Sequence, residues 1–124
     1  MKKVAIYVCG EVSRKCTANG CLRTFNAMED SFERYKEDGC KLVAFNTCNG
    51  CDQDPVESLD VKIEKLKKAD VEVMHISTCI RGRCSHYEEY AKEFAKHFEV
   101  IGYTHGSKEG KKNNNINYIK DIEK

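Results

Sequence analysis

At 124 residues, with 8 cysteines and a single proline, the chain is of one-domain size and can bury a core without disulfide staples. Lys and Arg total 21 against 20 Asp and Glu, a net charge of +1, which provides no field for gathering nucleic acid or an acidic membrane. The apolar start Val4–Val8 is too short for a secretory segment and no run approaches the roughly 20 apolar residues of a membrane span, so a cytoplasmic protein with reduced thiols is expected, its cysteines pointing to ligation or catalysis.

Four runs rich in β-branched and aromatic residues, Val4–Val8, Leu42–Phe45, Val71–Ile76 and Val100–Tyr103, are nearly continuous in apolarity, as strands covered on both faces are. Helical patterns separate them. The first runs over Asn19–Glu37, with Leu22, Phe25, Met28, Phe32 and Tyr35 at steps of three and four and Gly39 as its stop. The second opens on Asp54 as N-cap, with Pro55 in the first helical position and Glu57 closing a capping box, and carries Val56, Leu59, Ile63 and Leu66 as its buried stripe. The third is expected from a Ser85–Glu88 capping box and buries Tyr87, Tyr90, Ala91, Phe94, Ala95 and Phe98.

The order βαβαβαβ implies an α/β fold of three layers: a four-stranded parallel sheet in order 2-1-3-4 with helices on both faces, Rossmann- or flavodoxin-like. This domain spans residues 1–106. Residues 107–124 read as a polar linker, Ser107 to Asn115, and a tail in which Ile116, Ile119 and Ile122 suit either a short docking helix or a frayed end.

That topology brings the chemistry together. Cys9, Cys48, Cys51, Cys79 and His105 each follow a strand, at the carboxyl end of the sheet where open α/β folds place their sites. Adjacent strands lie about 4.8 Å apart, so Cys9 and Cys79 are expected neighbours. Cys48-Asn49-Gly50-Cys51 is a Cys-x-x-Cys turn able to grip one ion. Cys9, Cys48, Cys51 and Cys79 would satisfy either a tetrahedral zinc or an iron–sulfur cluster. Cys16, Cys21, Cys84 and His105 exceed one shell and suggest a second site, a polynuclear cluster or free thiols. Arg14, Arg23, Arg81 and Arg83 fall in the same loops or just inside the first helix. There they would offset thiolate charge or hold a small anionic ligand.

Strand-Cys9, then Cys16 to Cys21-Leu22 opening a helix, a central Cys48-Asn49-Gly50-Cys51, Ser77-Thr78-Cys79-Ile80 with Cys84, and Thr104-His105 together resemble the CGGC-domain family over about residues 3 to 106. The resemblance implies metal binding, zinc first, with no settled activity. Asn49 departs from the name-giving motif by adding a side chain where the family has glycine, and a proline comes only at Pro55.

Blander readings stand beside these. Cys40 opens the second strand at the far end of the sheet and reads as a buried apolar residue; His75 reads as a satisfied core histidine and His97 as solvent-facing. His86 is balanced between cap and ligand, and Cys16, Cys21 and Cys84 also fit simple packing. The competing function is a thiol–disulfide redox enzyme in which Cys48 attacks and Cys51 resolves, with an oxyanion held by the arginines as one substrate class. Phosphatase-like chemistry is disfavoured because Cys9 and Arg14 enclose a loop shorter than that cradle requires.

Overall fold

A computed structural model describes residues 1–10, 12–48, 59–106 and 119–120. The strands are β1 (Lys2–Val8), β2 (Cys40–Thr47), β3 (Val73–Ile76), β4 (Glu99–Ile101) and β5 (Ile119–Lys120). The helices are α1 (Asn19–Ala27), α2 (Leu59–Lys68), α3 (Thr78–Arg83) and α4 (Tyr87–Ala95), with 3-10 turns at Val12–Arg14 and Asp30–Tyr35. Among these residues no helix is long and apolar enough to cross a membrane.

The sheet runs β2-β1-β3-β4-β5. Its first four strands are parallel, in the order expected from the apolar runs. β1 has strands on both sides and layers on both faces, so Val4 to Val8 are all buried, which is why that run shows no alternation in sequence. The side chains nevertheless divide by parity. Ala5 and Tyr7 point with Met74, Ile76 and Val100 toward α2 and α4, whereas Val4, Ile6 and Val8 point with Val73 and Ile101 toward α1 and the Asp30–Tyr35 turn.

Four expectations need correction. The tail contributes β5, antiparallel to β4, so Ile119 is in a strand and not in a helical stripe; Ile116 and Ile122 lie outside the described residues. The helix foreseen over Asn19–Glu37 breaks after Ala27, because Met28 and Asp30 take positive φ (55° and 54°). Asp30 is held there by the Gly106 N–H (2.8 Å), and the break swings Ser31, Phe32 and Tyr35 onto His75. Gly39, at φ 75°, does end this segment, its N–H donating to the Tyr35 carbonyl at 2.7 Å. The segment after β3 is a helix, α3, where a loop was expected. The Ser85 capping box does not form: the residue preceding α4 is His86, with no side-chain cap, and its Nδ1 faces Glu89 Oε1 at 3.0 Å. The Asp54-Pro55-Glu57 start of the second helix lies outside the described residues.

His75 is the satisfied core histidine that its place in a buried strand implies. It is fully buried, stacked on Phe32 at 4.3 Å between ring centroids. Ser31 gives its proton to the Thr104 carbonyl (3.0 Å), so His75 Nδ1–H donates to Ser31 Oγ (3.0 Å) while the Tyr35 hydroxyl donates to Nε2 (2.7 Å). Burial pushes its pKa down to about 3. An unfolded histidine titrates near 6.5, so between these values the unfolded chain holds the extra proton. The stability that neutral His75 contributes is complete above pH 6.5 and is lost as pH falls toward 3, at up to about 1.4 kcal/mol per pH unit. Denaturant unfolding across this range should show that slope in the wild type and a shallower one in His75→Gln.

Candidate functional site

Register places the first pair of thiols. β1 and β2 pair Lys2 with Cys40 through Val4 with Leu42, then shift so that Ala5 meets Ala44 and Val8 meets Thr47. The extra residue is Val43, a bulge on β2. It advances β2 by one residue and brings Cys48 abreast of Cys9. Cys48 N–H donates to the Val8 carbonyl (3.1 Å), and Gly10 N–H donates to Cys48 Sγ (3.0 Å). A Cβ on Gly10 would stand 2.6 Å from the Cys48 carbonyl oxygen and 3.4 Å from its sulfur, so this approach of backbone to thiol requires glycine.

The second group sits where β3 ends. Ser77 precedes α3, and Cys79 in its first turn shares a 2.8 Å hydrogen bond with Ser77 Oγ. Thr78 binds the strand-end loop after β4: its hydroxyl donates to the His105 carbonyl (2.6 Å) and accepts from the N–H groups of Thr104 (3.2 Å) and His105 (3.1 Å). Thr104 Oγ1 in turn accepts the Thr78 N–H (3.3 Å) and meets Cys21 Sγ at 3.2 Å. Two threonines thus lock α3, the loop after β4 and the start of α1 together. Gly20, on α1, leaves room for the His105 ring, which would touch a Cβ there at 3.3 Å.

Between these elements lies a cavity of about 150 Å³, walled by Cys9, Cys16, Cys21, Cys79 and His105, with Val8, Ala18 and Phe45 among its apolar lining. Cys9 and Cys79 are therefore brought together as topology predicts. Cys16 is exposed, its sulfur accepting the Ala18 N–H (3.3 Å). Burial pushes the Cys21 thiol up, partly countered by Thr104. Burial holds His105 below its ordinary range, with Arg23 and Arg81 acting the same way against Asp30, so its imidazole is neutral near pH 7 and keeps a lone pair.

Cys48 and Cys84 lie off this cavity, packed with the α2 and α4 side of the core. There the Lys62 amino group donates to the Thr47 carbonyl and sits 5.7 Å from the Tyr7 ring centre. Burial lowers Lys62, and charge on Cys48 opposes that. Lys62 was not singled out from the sequence, where it reads as one more lysine of a solvated helix. Cys51 falls outside the described residues. No disulfide joins the described cysteines to one another. Cys40 is buried at the far end of the sheet, near Met28, and His97 is exposed.

Of the arginines, Arg14 is exposed, Arg23 pairs with Glu29 at 3.8 Å, and Arg81 is 1% exposed, its guanidinium 5.2 Å from the Tyr103 ring centre. Arg83 is the last residue of α3.

The donor chemistry suits a soft metal. The described geometry does not preform its shell: among the described residues no three His, Cys, Asp or Glu side chains stand close enough to hold one ion.

Gly10→Ala tests the strand-end arrangement. The added methyl must displace backbone, at a cost of about 1–3 kcal/mol, and should remove the N–H donor from Cys48. A lower unfolding midpoint together with a changed rate of Cys48 labelling by a disulfide reagent is expected.

No curated protein and no solved structure matches the chain. The CGGC domain matches residues 3–105, from the second residue of β1 to the histidine that walls the cavity, and the chain belongs to the CGGC domain family.

Proposed function

We propose that this protein binds a thiophilic metal ion at the carboxyl edge of its sheet. The supporting observation is the convergence of Cys9, Cys16, Cys21, Cys79 and a neutral His105 on one cavity, with Cys48 abreast of Cys9. Cys9, Cys48, Cys51 and Cys79 are the core ligands in this reading, and Cys84, His105, Cys16 and Cys21 serve as substitutes or a second set. Zinc is the first candidate and an iron–sulfur cluster the alternative, since both accept four thiolates. A storage, delivery or sensing role fits such a thiolate site. A reducing, cytoplasmic setting belongs to the same reading, as does a small anion beside Arg14, Arg81 and Arg83.

A second reading rests on the surroundings of Cys48. Its sulfur accepts the Gly10 N–H, and Lys62 lies near it. In this reading the Cys48 thiolate attacks a substrate disulfide and releases one thiolate. Cys51 would then displace the second, leaving a Cys48–Cys51 disulfide and a reduced substrate.

Elemental analysis of protein purified anaerobically without added metal separates the two. Stoichiometric zinc, or iron with absorption near about 400 nm, supports the metal reading, with several-fold lower content expected in Cys48→Ser. Metal-free protein that cycles one disulfide at full thiol count replaces it with the redox reading.

A further inference from the structure

The cavity is larger and greasier than a bare ion needs. At about 150 Å³ it has the capacity of an apolar cavity that takes a benzene-sized guest, and Val8, Ala18 and Phe45 line it beside the sulfurs. Phe45 is 43% exposed, so an aromatic face is available at the mouth. The thiols that reach this space come from different elements, Cys21 from α1 and Cys79 from α3. Each is fixed by a hydroxyl partner, Thr104 for Cys21 and Ser77 for Cys79. Both line the same cavity. A ligand needing only two sulfurs, and bringing its own apolar group, uses everything the cavity offers. A four-coordinate ion leaves most of the volume unfilled.

We propose that this cavity binds a thiophilic atom carrying a small apolar substituent, of the class of trivalent organoarsenicals, through Cys21 and Cys79 with the organic group against Val8, Ala18 and Phe45. The inference rests on the metal-binding reading of this edge and names the kind of ligand it takes. The step is a condensation without change of oxidation state. An arsonous acid R–As(OH)2 meets two thiols, two As–O bonds break, two As–S bonds form, and the two hydroxyls leave with the two thiol protons as two waters.

The test is titration of the reduced, full-length protein with phenylarsonous acid, with arsenite and with zinc, read by intact mass and by counting the remaining thiols. One phenylarsenic group per chain with loss of two thiols is expected, retained about tenfold or more tightly than arsenite because the phenyl ring is buried. Cys21→Ser and Cys79→Ser should each lower retention by tenfold or more, Phe45→Ser should narrow the preference for phenyl over arsenite, and Cys40→Ser should change nothing. Arsenite held as tightly as phenylarsonous acid overturns the proposal, as does an adduct that survives both serine variants and is lost in Cys48→Ser. The wild-type comparison needs no variant, so misfolding of a mutant does not shelter the idea. Zinc retained with phenylarsonous acid refused sinks the inference and leaves the metal reading standing; refusal of both sinks both.

Discussion

The arrangement depends on how β1 is held. With a parallel neighbour on each side and a helical layer on each face, it has no register freedom on either count. A slip of one residue would move Ala5 and Tyr7 to the layer built for Val4, Ile6 and Val8. Everything at the carboxyl edge is measured from this strand, and the single bulge at Val43 sets where β2 ends relative to it. Were Val43 paired with Ala5 in a regular ladder, Cys48 would fall opposite Gly10 and the two cysteines would not stand level.

The fold could be read from the sequence because it follows from patterns longer than any one residue. Four uninterrupted apolar runs alternating with amphipathic segments leave few topologies open once crossovers are right-handed. What could not be read was set by distant partners. Met28 and Asp30 adopt left-handed backbone because Gly106 and the Ser31–His75–Thr104 hydroxyl network lie where a continuous helix would not reach them. α3 is too short to show a period, and the Ser85 signature was outweighed by the tight passage from Cys84 to Tyr87.

The candidate site was legible in its location and less so in its internal grouping. Loop position alone puts every chemically interesting cysteine except Cys40 at one edge. It does not say on which side of the sheet each sulfur emerges. Cys9, Cys48, Cys79 and Cys84 pack with the α2 and α4 layer and Cys21 with the opposite one, whereas Cys9, Cys16, Cys21 and Cys79 reach the cavity, and Lys62 lies near Cys48. The roles of Thr78 and Thr104 were equally hidden. Each is an ordinary polar residue in sequence, and their importance comes from clasping one another across two chain segments.

β5 has an effect beyond its two residues. By lying antiparallel along β4 it replaces that edge with one of only two residues, which leaves β2 as the long open flank among the described residues. Such a flank invites pairing with other chains. Here it carries a charged side chain at Lys41 and is deformed at Val43, both of which discourage stacking of one molecule on the next. The same irregularity that levels two sulfurs therefore also helps keep the protein from polymerising through its exposed border.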